Sequence, residues 1–290
     1  MATLNKQIWI KQLMKNFYPD PSFLNFVKNF SALVEYDKLT MAEVGVDPNV
    51  LINNTTYPID VLPRVDTPLE ITLDLFETEN TLVRRPEAIE LAYDKLESVL
   101  YGHKQSLRTS TARKAAHAFA PANDDTYTPV IACTGEVDAN GLKRLTVNDI
   151  LALKRRYDDL DIPKEDRYLV LDPKHTEDLM LIDLKSFKDI TDFKNGVPQR
   201  FAGFNMLEFS KNPKYDAATL VKSAFDSVTP GTAHSSFAFQ KEEVMRADGT
   251  VHMYETKDDP KERATIVGFD KRFIALPIRN KGIGAIVSGS

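Results

Sequence analysis

Between Pro68 and Phe76 the chain alternates strictly, with Leu69, Ile71, Leu73 and Leu75 on one side and Glu70, Thr72 and Asp74 on the other. Successive side chains of a strand point to opposite faces, so a period of two predicts a half-buried strand. Its partner is expected in the run Val50 to Leu62, with Asn53-Asn54 or the breaks at Pro58 and Pro63 making the bend. A two-stranded ribbon is barely stable alone in water, and nothing adjacent in sequence offers it a surface. The period then changes. After Arg85-Pro86-Glu87, where proline and acids suit a first helical turn, Ile89, Ala92, Tyr93, Leu96, Val99, Leu100, His103 and Leu107 recur at helical spacing. One helix is predicted from Pro86 to about Phe119, stopped by Pro121 and most easily kinked at Gly102. At ~1.5 Å per residue it would reach ~50 Å.

Before the ribbon, Ile8, Leu13, Met14 and Phe17 fall on helical spacing and Tyr18-Pro19-Asp20-Pro21 ends that pattern. Ser22 is placed to cap a second short helix over Phe23 to Phe30. Trp9, Phe17, Phe23, Phe26 and Phe30 are read as anchors of an N-terminal arm, with burial in the chain's own core as the competing reading. After the rod, Thr128 to Thr134 reads as a strand and Asn140-Gly141 as a turn. Thr146 with Asp149 resembles a capping box opening a helix through Ile150, Leu153, Tyr157 and Leu160. Arg167 to Leu171 reads as a buried strand, Asp172-Pro173 as the turn into a helix, and Gly203 to Phe209 as another strand. Further strands are predicted at Ser236 to Gln240, Val251 to Glu255, Ala264 to Gly268 and Arg272 to Ile278, with Asp248-Gly249-Thr250 as a hairpin turn. Gly282 to Ser290 is small-residue sequence, expected to fray.

Charge changes this picture more than composition does. Asp47 to Arg84 contains neither Gly nor Lys; Asp60, Asp66, Glu70, Asp74, Glu77 and Glu79 make it acidic and its prolines hold it extended. The rod divides: Glu87, Glu90, Asp94 and Glu97 lie in its first half, whereas Ser98 to Pro121 carries Lys104, Arg108, Arg113 and Lys114 and no acid. Cations suit a helix C-terminus, and they also make a partner surface. The net charge of −5 argues against a broadly basic nucleic-acid binder. Cys133 is the only cysteine, so no intrachain disulfide can form and a reducing compartment is expected. No run of apolar residues is long enough for a membrane span. The length leaves room for two compact domains, or one with appendages.

Chemistry is sparse. His103, His117, His175, His234 and His252 are scattered singly, so Cys133 is expected to be a buried structural thiol. His175 with Glu177 and Asp178 matches no zinc or calcium spacing and reads as a solvated helix start. Lys281-Gly282-Ile283-Gly284 lacks a P-loop's spacing and reads as a terminal turn. No G-x-S-x-G, H-E-x-x-H or paired CxxC is present. No catalytic residue, metal or cofactor is expected.

Three segments carry a resemblance. FETENTLVRRPEAIELAYDKLESVLYGH (Phe76 to His103) resembles the loop-to-spine passage of capsid proteins from gut phages. RYLVLDPKHTEDL (Arg167 to Leu179) is similar to the strand, Asp-Pro turn and helix of the same family, and Gly196-Val197-Pro198 through AGFNMLEFS (Ala202 to Ser210) to the glycine-led strand that follows. The family is the major capsid proteins of tailed bacteriophages, with the Hong Kong 97-like fold. The resemblance implies an α+β chain. Its parts would be an N-terminal arm (1–46), an extended β-hairpin loop (47–84), a peripheral domain with the spine helix (85–144), an α/β axial domain (145–240) and return strands (241–290).

It implies a homo-oligomer of pentamers and hexamers forming an icosahedral shell around packaged DNA, without catalysis and without a membrane. Scaffold, portal or decoration proteins are further expected partners, the virion the location and the host bacterial cytoplasm the place of assembly. The arm would lie across an adjacent subunit through Arg64, Asp66, Leu69, Glu70, Ile71, Leu73, Asp74 and Leu75. Its acids would meet Lys104, Arg108, Arg113 and Lys114 of a neighbour, unless that basic face meets the DNA backbone. The rival readings are an encapsulin-like nanocompartment shell and a soluble α/β enzyme or binding protein. Some family members weld their shells through a lysine of the extended loop. Because Asp47 to Arg84 has none, assembled particles boiled in SDS should release one band at 32.7 kDa; a ladder of covalent oligomers would contradict this.

Overall fold

The computed structural model describes residues 10–11, 13, 17, 22–43, 67–84, 95–181, 193–194, 197–227, 231–262 and 264–290. The first strands are β1 (Lys28–Asn29), β2 (Val34–Glu35), β3 (Lys38–Glu43), β4 (Thr67–Thr72), β5 (Asp74–Glu77) and β6 (Thr81–Arg84). The long helix α1 (Lys95–Phe119) and β7 (Val130–Ala132) follow, then α2 (Val147–Asp159), β8 (Arg167–Leu171) and α3 (Pro173–Leu181). The later strands of the two larger sheets are β9 (Arg200–Phe201), β10 (Phe204–Glu208), β11 (Ser235–Gln240), β12 (Val244–Asp259), β13 (Ala264–Pro277) and β14 (Ile283–Val287).

The centre is a six-stranded mixed sheet in the order β9-β10-β8-β11-β14-β7. The run RYLVL, apolar after Arg167, is buried at every position of β8, as expected of a strand covered on both faces. Tyr168 and Val170 join a core with Ala112, Ala115, Ala116 and Phe119 of α1, while Leu169 and Leu171 join a second core with Ile150, Leu153 and Tyr157 of α2 and Leu179 of α3. Alanines let the long helix approach the sheet closely. Thr146 and Asp149 form the expected capping box, which starts α2 where its apolar stripe begins. At the other end of α1, the Lys222 ammonium donates to the carbonyls of His117 and Ala120. Burial pulls its pKa down to about 8.

A second sheet holds β1, β12, β13 and β5, with β6 also on β13, and a third holds β2, β3 and β4. Here the structure departs from the sequence reading in several places. Asp248-Gly249-Thr250 is no hairpin turn: β12 runs on through an irregularity between Asp248 and Val251, paired along its length with the equally continuous β13. Asp248 there meets the buried Lys271 ammonium at 2.6 Å, and Phe17 covers that ammonium at 3.8 Å. Ser22 makes no side-chain cap, and only a 3-10 turn, Phe23–Phe26, follows it before β1.

Phe17 and Phe23 are core residues of their own chain, and Phe23 sits edge-on to Phe119, Phe209 and Phe237. Phe26 stacks on Tyr168. Helix α1 runs unbroken through Gly102; its expected first turns, residues 86–94, lie outside the described residues, as does Trp9.

The largest departure is the tail. Ile283 to Val287 does not fray but forms β14, buried throughout, antiparallel to β11 and parallel to β7. Small residues are there for packing: a Cβ on Gly284 would come within 3.0 Å of Leu153 and the Tyr157 ring. The sheet thus draws strands from both sides of the 145–240 stretch. Truncating the fully buried Ile286 to Ala is expected to cost about 2–5 kcal/mol, read as a lowered midpoint in denaturant unfolding; a loss below about 0.5 kcal/mol would restore the frayed tail.

Candidate assembly surfaces and a buried polar cluster

The alternating strand does not persist as one face. β4 pairs antiparallel with β3, Ile71 opposite Leu39 and Glu70 opposite Thr40. The expected partner run, Val50 to Leu62, lies outside the described residues, as do Arg64 and Asp66. At Leu73 the chain changes sheets: its N–H donates to the Asp37 carbonyl at 3.1 Å, and β5 then pairs with β13. The change shifts the phase. Leu73 is buried in its own chain with Leu39, Met245 and Ile274, Ile71 packs at the edge of that cluster, and Phe76 packs inward against Phe273, leaving Leu75 43% exposed. The four-leucine/isoleucine face expected to lie on a neighbour is therefore split. Leu73 closes within the chain, Leu75 faces out, and Leu69 lies in β4 opposite Met41.

The acidic and basic surfaces also meet inside one chain. Asp74 lies 3.8 Å from the Lys114 ammonium, and Glu70 accepts from Lys38 at 3.1 Å. Arg113 pairs with Asp226, and both Arg113 and Lys114 lie over the Phe225 ring. Exposed pairs of this kind are worth about 0–1 kcal/mol, so they orient these side chains more than they stabilise the fold. Lys104 and Arg108 are half-buried at earlier positions on α1. Between α1 and the β5–β6 connection runs an open groove of about 730 Å³, lined by Leu75, Glu77, Glu79, Val99, His103 and Ser106. Burial lowers the pKa of His103.

Sequence spacing missed one cluster altogether. His175, expected at a solvated helix start, is fully buried on α3. Its Nδ1 lies 2.7 Å from Ser236 Oγ on β11 and its Nε2 2.8 Å from Ser288 Oγ just past β14. Cys133 Sγ is 4.0 Å from the same Nε2. Ser236 Oγ also accepts the Asp172 N–H at 3.0 Å, so this one hydroxyl joins the turn into α3 to the imidazole. Cys133 is 1% exposed, and burial, then the Asp149 charge, pushes its thiol pKa up.

The thiol therefore stays protonated, and the cysteine and histidine that spacing kept apart meet as a structural joint. Asp172 is the anionic edge of the cluster: burial would raise its pKa, but the His234 hydrogen bond and the Lys214 charge hold it lowered. Among the described residues no three His, Cys, Asp or Glu side chains converge to hold a metal ion.

Neither a family model nor a curated protein matches the chain. Solved structures do. A chain of Mycobacterium phage Che8 superposes with a TM-score of 0.66 at 14% identity, over 92% of this chain and 91% of that one. The capsid of the cyanophage P-SCSP1u gives 0.65 at 15%, over 91% and 87%. The virus-like particle from Pyrococcus furiosus gives 0.58 at 10%, over 98% of both chains. The mixed α+β fold implied by the sequence resemblance is the fold of these structures.

The buried cluster has a pH signature. Burial depresses the His175 pKa from 6.5 to about 4, so the unfolded chain takes up a proton that the folded chain refuses. Stability is complete above about pH 6.5 and declines toward pH 4, by on the order of 3 kcal/mol. Denaturant midpoints measured across that window should fall with pH, and His175→Gln should flatten the slope; equal slopes in both proteins would contradict the assignment.

Proposed function

We propose that this chain is the repeating subunit of a closed icosahedral shell, a phage major capsid protein enclosing double-stranded DNA. One observation carries the reading: the superposition on a capsid chain runs nearly end to end in both partners, 91% and 87% for the cyanophage P-SCSP1u. An enzyme that had borrowed the fold would be expected to add a pocket with reactive groups. Here the cysteine and histidine that approach each other are sealed inside the sheet, which supports a structural role.

In this reading Arg64, Asp66, Leu69, Glu70, Asp74 and Leu75 contribute to contacts with an adjacent subunit in pentamers and hexamers. Leu73 and Ile71 hold the base of the arm to its own chain. The arm's lack of lysine makes its grip noncovalent. Two of the four cations in the rod's second half, Arg113 and Lys114, already face acids of the same chain. That lowers what they offer to phosphate and favours a subunit contact over DNA for this face. Scaffold, portal and decoration proteins would be the remaining partners, with the shell assembled in the host cytoplasm and ending in the virion.

A second reading, a nanocompartment shell, is favoured by the near-complete coverage of the virus-like particle. Electron microscopy of the purified chain should show closed particles of uniform diameter. Static light scattering that finds a monomer of 32.7 kDa at all concentrations would overturn both readings. Particles that carry a co-purifying enzyme inside would select the second.

A further inference from the structure

Tyr36 is 99% exposed at the tip of the β2–β3 hairpin. Glu35 and Lys38 pair directly, so Tyr36 and Asp37 are the two central residues of a tight turn, and both take left-handed backbone, φ 48° and 59°. Turns of this hand favour Asn-Gly, and a left-handed φ at a bulky residue is an outlier. Glycine would sit here without strain; the chain has an aromatic ring instead.

The turn is clamped. Asp37 Oδ1 accepts the Thr250 hydroxyl at 2.9 Å, Arg272 Nε stands 3.8 Å from its other oxygen, and its carbonyl accepts the Leu73 N–H at 3.1 Å. Ser31 Oγ accepts the Asp248 N–H at 2.9 Å, tying the approach to the hairpin down as well. The seat is the irregular stretch of β12. Gly249 lies under the turn and has no room for a side chain, since a Cβ there would fall 2.7 Å from Arg272 Cβ and 2.8 Å from Leu73 Cδ2. The residues that resembled a hairpin turn are a pedestal for another one.

Among the described residues nothing covers the ring: the backbone is strained, the base is held rigid and the ring is in water. Strained residues persist where the surrounding structure over-determines them, and they cluster at binding sites. Tyrosine is enriched among residues that dominate interface energetics, and a ring presented on a rigid turn loses little freedom when it is covered.

We infer that Tyr36 is an intersubunit anchor, its ring seated on a second copy of this chain. The inference rests on the shell reading and adds the residue. Exposed Glu35 adjoins the ring, and the neighbouring cations Lys38 and Arg272 face Glu70 and Asp37, which disfavours nucleic acid or an anionic membrane as the occupant and leaves a protein surface. In a closed assembly of identical copies, one aromatic contact repeats at every subunit.

The test uses the full chain with a photoreactive benzoylphenylalanine at position 36, irradiated in assembled particles, beside Tyr36→Phe, Tyr36→Ala and Tyr36→Gly. An adduct of twice 32.7 kDa whose cross-linked peptides both come from this chain is expected. The glycine variant suits the left-handed turn, so its thermal unfolding before assembly should match or exceed that of the native sequence. Its half-assembly concentration should nevertheless rise about tenfold or more, while Tyr36→Phe stays within about twofold. Glycine and alanine variants that assemble at the native concentration, or a position-36 adduct that is absent or formed only with a foreign protein, overturn the inference. If the native chain forms no particles the shell reading fails by itself. The cross-link is then read in whatever oligomer forms, where an adduct between copies supports the anchor and none refutes it.

Discussion

Burial of one mixed sheet on both faces is the constraint that the rest of the structure obeys. Every residue of β8 and β14 is inside, so neither face can be left to solvent. One side is closed by the alanine-lined end of α1 together with Phe23, Leu24 and Val27, the other by α2 and α3. Burying aromatic and aliphatic side chains is worth about 1.5–3 kcal/mol each. The same burial dictates the polar chemistry within. A histidine at this depth must stay neutral and hydrogen-bonded, and His175 meets both conditions by joining α3, β11 and the end of β14.

Local pattern made the axis of this sheet legible and left its closure illegible. RYLVL declares a two-face buried strand by composition alone, and Thr146 with Asp149 declares a helix start, because both signals depend on residues within a few positions. β14 was misread for the opposite reason: IGAIV has small residues whose value appears only against Leu153 and Tyr157. The kink expected at Gly102 rested on glycine's general weakness in helices, which tertiary packing of the surrounding turns overrides.

The assembly surfaces show the same limit more sharply. Strict alternation from Leu69 to Leu75 was real as a pattern, but a strand that changes sheets at Leu73 carries its alternation across a change of partner. The inward residue after the switch is Phe76, not Leu75. Asp74 lies in the acidic stretch and Lys114 in the basic one. That they meet in one chain follows from β5 lying beside the rod, a contact between residues forty positions apart that periodicity cannot carry. Cys133 and His175 are a similar case.

The position of β14 has a further consequence for biogenesis. It lies between β11 and β7, so the parallel pairing with residues 130–132 must wait until residues 283–287 have left the ribosome. Until then β11 and β7 lack the strand that joins them and the apolar face is incomplete, a condition that invites aggregation in nascent chains. A polypeptide cut short before that strand would be denied a mature core.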